Sequence, residues 1–337
     1  MMRLDAYRQH LLEQGSTSNE LAQAMELAGK FAAFLTDLGP SEKVSAAGRA
    51  EIEPFAAALI ASGRNTPQSF ATLCDFAVWL DYRNLYVALV ELTDCDNALA
   101  VLADEIERAH GEDVRDRVFV DPLPPLGARE AERCAYTLGL MDRMAPELTS
   151  GQQRAMWFRV QHGLPDSLWR ESDAVERKKY RECGSVDAYL ARRRQDRMDL
   201  LERLHDEGKL WYTAEITDEV LEFVRSNEEI QGGRREGDAI YVTKFPYNAA
   251  AYLAETDQKR KRYYACHCPL VREAILNEQP VSPEVCNCTL GFVRHNLAGL
   301  GMELQGEVLE SAVMGNSRCR LVFHLPDGWK EDRAAGT

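Results

Sequence analysis

Apolar side chains at Leu21, Met25, Ala28, Phe31, Leu35 and Leu38 recur three and four residues apart, the repeat of one helix face. Thr17 and Glu20 stand at capping-box spacing before this run, and Gly39-Pro40 follows it, so one helix is predicted between them. A second helix is predicted over 51–61, closed by Gly63. A third opens at Thr66-Pro67, a cap followed by proline at the first helical position, and carries Phe70, Leu73, Ala77 and Leu80. The same period continues over 85–92 and 98–110. Residues 1–120 therefore read as a helical domain.

Asp121-Pro122-Leu123-Pro124-Pro125-Leu126-Gly127 breaks the pattern, because proline stiffens the chain and removes backbone donors. We take 121–127 as a linker. Helical periodicity resumes over 128–228, with segments at 128–144, 150–162 and 186–205, and with Trp157, Phe158 and Trp169 as core aromatics. The runs Arg177-Lys178-Lys179 and Arg192-Arg193-Arg194 are interleaved with Glu176, Glu182, Asp196 and Asp199, which predicts solvated helix faces. Thr217 caps one more helix.

The pattern then changes period. Gly232-Gly233 and Gly237-Asp238 punctuate a hairpin leading into a strand over 240–245, and a short helix is predicted over 247–256. Near the end, Leu304, Gly306 and Val308 alternate with Gln305, Glu307 and Leu309. After the turn Met314-Gly315-Asn316, Cys319, Leu321 and Phe323 share one face. Residues 229–330 read as an α/β domain with antiparallel strands, and the whole chain as α+β.

Composition narrows the partners. The chain has 337 residues, enough for about two domains, and a formal net charge of −14. An acidic protein is poorly suited to neutralising phosphates, which disfavours nucleic acid and anionic membrane as main partners. A helix pair followed by a hairpin is also compatible with a winged helix, but Glu228, Glu229 and Glu236 fall in the would-be wing. No apolar run approaches the ~20 residues of a membrane span. Met1-Met2-Arg3-Leu4-Asp5 lacks the apolar core of a signal peptide, so a cytoplasmic location is expected. Thiols stay reduced there, and nine cysteines, an odd number, point to ligation or chemistry instead of a disulfide framework.

The chemistry concentrates late. Five of the nine cysteines lie in Cys266-His267-Cys268-Pro269, Cys286-Asn287-Cys288 and Cys319. Four thiolates on zinc would give a closed tetrahedral site at ~2.3 Å per bond. An iron–sulfur cluster also takes four cysteines, although the common CxxC spacings are absent; a set of small buried apolar residues is the third reading. Pro269 predicts the first turn of a helix over 270–276, whose dipole would lower the pKa of the neighbouring thiols. His267 is a candidate ligand, sulfur-orienting group or acid–base residue, and Arg272 a candidate carboxylate anchor. Cys74, Cys95, Cys134 and Cys183 read as packing residues. His162, His205, His295 and His324 have no acid or nucleophile at a telling spacing.

Two resemblances add to this. The first ~90 residues are similar in pattern to the helical core-binding domain of tyrosine recombinases, without the recombinase catalytic set further on. The run Cys286-Asn287-Cys288-Thr289-Leu290-Gly291-Phe292, then Val308-Leu309-Glu310-Ser311, Gly315 and Cys319-Arg320-Leu321-Val322-Phe323-His324-Leu325-Pro326, resembles two related groups. They are the aminothiazoline-carboxylate hydrolase-like family and the vinyl-4-reductase-type ligand-binding domain. The second resemblance implies an α/β domain with a small-molecule pocket beside a structural zinc, held at places matching Cys286 and Cys319. In the phenol-sensing regulators that carry the vinyl-4-reductase-type domain, a third cysteine corresponds to Ser311 here and the glutamate ligand falls near Val308, so Cys266 and Cys268 are candidates to complete the set. The function expected is a zinc-stabilised small-molecule-binding protein, with the helical N-terminal half as a platform for homo-oligomers or partners. A metal-dependent hydrolase of a small cyclic or amide substrate, and nucleic-acid binding through the N-terminal helices, are the alternatives.

Overall fold

The computed structural model describes residues 4–164, 167–326 and 328–329. The chain divides into two compact units: residues up to Asp96 together with Leu123–Arg133, and Asn97–Pro122 together with Cys134 onward. The proline-rich stretch thus contributes to both, and residues 134–228 belong with the cysteine-rich segment.

In the first unit, α1 is Leu4–Glu13, α2 Ser18–Leu38, α3 Ser41–Ser45, α4 Arg49–Ala61, α5 Pro67–Trp79 and α6 Arg83–Thr93. Of these, α1 and α3 carry too few apolar repeats to be found from periodicity. The predicted caps form: Thr17 and Glu20 make the reciprocal capping box of α2, and Thr66 Oγ1 accepts the Ser69 N–H at 3.1 Å. The apolar faces meet in one core around Phe31, Leu35, Ile52, Leu73, Phe76 and Leu89. Arg133 is buried here and donates to the carbonyls of Glu91 (2.8 Å) and Asp94 (2.7 Å), two of the acceptors that the end of α6 leaves open.

The second unit starts with α7 Ala98–His110 and α8 Glu112–Val118, and continues with α9 Glu130–Glu147, whose first residues lie in the first unit. Then come α10 Ser150–Val160, α11 Ser167–Cys183, α12 Val186–Asp206 and α13 Asp218–Arg225. The side chain of Trp169 lies outside the described residues. The reading of Arg192-Arg193-Arg194 as a solvated face needs correction. Arg193 is buried, because Tyr189, with Glu176 hydrogen-bonded to it, offers its guanidinium a paired site, while Arg192 stays exposed against Asp196.

The hairpin forms as expected, from β1 Arg234–Glu236 and β2 Ala239–Thr243. After it come α14 Ala249–Ala254, α15 Gln258–Ala265, α16 Arg272–Leu276, a 3₁₀ turn Pro283–Cys286, α17 Asn287–His295, β3 Gln305–Glu310 and β4 Arg320–His324. The four strands form one antiparallel sheet in the order β1-β2-β4-β3, so the protein is α+β. Leu321 and Phe323 of β4 are buried against Ile240, Leu290 and Val293. Helix α17 lies unusually close to α10. A Cβ on Gly291 would sit 1.9 Å from the Phe158 carbonyl oxygen, so only glycine permits this approach.

Candidate functional site

The turn after α15, the 3₁₀ turn running into α17 and the residue before β4 converge on one cavity. Cys266, Cys268, Cys286, Cys288 and Cys319 all line it. The sequence clustering therefore becomes spatial clustering, from segments up to 53 positions apart as counted from Cys266 to Cys319. The cavity is small, about 30 Å³. A single water needs about 10–15 Å³ by the same measure, whereas a cavity that takes up benzene measures about 150 Å³. The space suits an ion or a water or two.

Cys288 Sγ accepts the backbone N–H of His162 at 3.1 Å. The backbone of Cys268 and of Ala312 and the Ser311 side chain lie near the other sulfurs and favour the thiolates of Cys266, Cys319 and Cys286 in turn. Donors aimed at sulfur favour the thiolate over the thiol. Burial opposes them and is the larger effect, pushing the thiols of Cys266, Cys286 and Cys319 up from their ordinary range; neighbouring sulfurs add to the rise at Cys266 and Cys286. The expectation of thiols made acidic by a helix N-terminus is therefore overturned. The helix begins at Arg272, three residues beyond Pro269, and has five residues, so no dipole stands against Cys266 or Cys268.

Cys286 and Cys288 straddle the start of a helix, with Cys288 in the first turn of α17. Cys319 sits just before β4, where its carbonyl accepts the Lys244 N–H at 2.9 Å.

His267 lines the cavity as well. Its Nε2 lies 2.6 Å from the Phe245 carbonyl, which can only accept, so Nε2 carries the proton and the neutral ring keeps Nδ1 as its acceptor. Burial, reinforced by the Lys244 charge, holds its pKa well below the usual imidazole range. Arg272 is elsewhere. It is buried with its guanidinium over Tyr247 (4.4 Å) and Tyr263 (4.9 Å) and does not line the cavity.

Sequence reasoning missed three residues of the site. His162 follows α10 in a stretch where Gln161 and His162 both take positive φ (48° and 61°), and its Nε2 lies 3.4 Å from Thr289 Oγ1. Burial and Lys244 lower its pKa to about 3. Lys244 directly follows β2 and directs Nζ to Thr289 Oγ1 at 3.4 Å, 5.8 Å from the centre of the Phe292 ring. Ser311, buried after β3, was noticed only as a missing cysteine. The one usable signal was Lys244, a cation following an otherwise apolar strand.

The donor chemistry suits a thiophilic ion. The arrangement is not a finished site, since among the described residues no three His, Cys, Asp or Glu side chains stand where they would hold a metal ion together. No helix among the described residues is long and apolar enough to cross a membrane. Comparison of the chain with protein-family models, curated proteins and solved structures finds no match.

Proposed function

We propose that the second unit carries a structural thiolate–metal site, zinc by the chemistry of its donors, in a small-molecule-binding protein of the vinyl-4-reductase and thiazoline-hydrolase-like type. The supporting observation is that Cys266, Cys268, Cys286, Cys288 and Cys319 all line one cavity of ionic size, with the His162 N–H donating to the Cys288 sulfur. Four of the five cysteines Cys266, Cys268, Cys286, Cys288 and Cys319 would hold the ion, with His267 as a neutral neighbour. Four thiolates on zinc leave no open position, so the ion would supply folding energy and rigidity without activating water. Raised thiol pKa values and donors that fall short of a metal geometry fit a site that completes itself only when an ion displaces the protons.

A hydrolase is the weaker reading, because a cavity of about 30 Å³ has no room for an organic substrate beside His267. Metal analysis of protein purified without added metal tests the proposal. We expect close to one zinc per chain, lost in Cys286→Ser and in Cys319→Ser. Full zinc in both variants would overturn it, and iron in place of zinc would move the site to the cluster reading.

A further inference from the structure

A second pocket, about 190 Å³, adjoins the cysteine cavity and shares Lys244 and Cys319 with it. Its remaining lining is unlike that of the first. Phe223, Pro246 and Tyr252 give it an apolar side, and Asn227, Ser317 and Arg318 a polar one. Among the described residues no acidic side chain lines it.

The polar side holds donors that the protein leaves unused. Arg318 spends Nε and Nη2 on the two carboxylate oxygens of Glu310, at 3.0 and 2.8 Å, which leaves both N–H groups of Nη1. Asn227 spends its carbonyl oxygen on the Glu229 N–H at 3.0 Å, and among the described residues its Nδ2 has no hydrogen-bond acceptor. Thr243, by contrast, is committed as a donor to Glu229 at 2.7 Å. With Glu310 and Glu229 held behind the wall by Arg318 and Thr243, the described lining presents spare N–H donors and the Lys244 cation, which select a ligand group that only accepts and carries negative charge. The aromatic and proline side fits a short apolar body.

We propose that this pocket binds a small molecule headed by an oxyanion, with the head on Arg318 and Asn227 and the body against Phe223, Pro246 and Tyr252. Carboxylate, sulfate and phosphate heads share this chemistry. Cys319 and Lys244 form the wall between this pocket and the thiol site. The inference does not depend on the metal reading.

Calorimetric titration of the full chain with benzoate, phenyl sulfate, phenyl phosphate and neutral benzyl alcohol tests it. At least one anion should bind about tenfold or more tightly than the alcohol, and the best head identifies the source. Both Arg318→Gln and Asn227→Ala should weaken that anion about tenfold, with the alcohol unaffected. Asn227→Ala leaves the Arg318–Glu310 pair intact, so it remains informative if Arg318→Gln fails to fold. Equal binding of alcohol and anions, no anion binding at millimolar concentration, or unchanged binding in a folded Asn227→Ala protein would overturn the proposal. Anion binding by a protein without zinc would leave this site standing and remove only the metal.

Discussion

The backbone N–H of His162 donates to the sulfur of Cys288 at 3.1 Å, joining residues 126 positions apart. The bond exists because the chain leaves α10 through two consecutive left-handed residues, Gln161 and His162, which carry the backbone toward the first turn of α17. Conformations of this kind cost about 1–3 kcal/mol for non-glycine residues and persist only where surrounding contacts hold them. The contacts here are the sulfur, the Thr289 hydroxyl and the Phe292 ring, whose centre lies 4.8 Å from that of the imidazole. His162 thus fixes one cysteine of the cavity from outside the cysteine-rich sequence.

Burial of that ring makes a pH prediction. Its folded pKa, about 3, lies below the ordinary 6.5, so its contribution to stability is present above pH 6.5 and is lost as pH falls toward 3. Between pH 7 and pH 5 the loss amounts to roughly 2 kcal/mol for this one group. Urea unfolding of wild type and His162→Gln at both pH values is the measurement. The variant should be less stable at pH 7 and should lose about 2 kcal/mol less than wild type on going to pH 5. An equal acid loss in both proteins would mean that His162 is not the titrating group.

Gly291 tests the helix contact. Its absent Cβ is what lets α17 meet the Phe158 carbonyl, and backbone cannot yield as a side-chain tip can. Gly291→Ala should cost about 3 kcal/mol or more, as overpacking against backbone does. Gly151, in α10, has nothing within 4 Å of its Cβ position, so Gly151→Ala should be neutral or slightly stabilising, by up to about 1 kcal/mol. Urea midpoints that move together in the two variants would contradict the close approach.

Much of this fold could be read from the chain. Thr17 with Glu20, Thr66 with Pro67, and the glycines at 232, 233 and 237 act locally, through caps and turns, and each did in three dimensions what its spacing required. The five cysteines were legible as a cluster for the same reason, lying in short segments near one another. What escaped is non-local. Burial raised the thiol pKa values where a local helix-end argument lowered them, and Arg193 was buried by Glu176 and Tyr189, partners its own run does not reveal. His162 and Lys244 enter the site only through tertiary folding, and no spacing in the sequence announces that.

Arg133 makes the same point in the first unit and can be tested there. Its two hydrogen bonds close carbonyls near the end of α6 from 42 and 39 positions away. Arg133→Met keeps most of the aliphatic stem and removes the donors, leaving Glu91 and Asp94 carbonyls without this partner. Charge-assisted bonds of this type contribute about 1.5–3 kcal/mol each at most, and a total loss near 3 kcal/mol is expected. Thermal or urea unfolding reads it, and a change below about 0.5 kcal/mol would show the bonds to be incidental.

The last prediction concerns charge in the cavity. Four thiolates around a divalent ion leave two negative charges in a buried space, and such charge is costly unless a cation lies near. Lys244 is placed for that: its charge works against burial at Cys319 and together with burial at His162 and His267, so all three feel it. Lys244→Met keeps the stem and the Thr289-facing volume but removes the charge. The zinc content of saturated protein should stay near one per chain while affinity, measured by competition with a chromophoric chelator at fixed pH, falls about tenfold. Lys244→Arg should recover much of that loss. Because Lys244 and Cys319 are only partly exposed, moving from low to moderate salt should narrow the difference only in part. An unchanged zinc affinity in Lys244→Met would show that the His162 N–H and the nearby groups of Cys268, Ala312 and Ser311 stabilise the thiolates without help from the lysine.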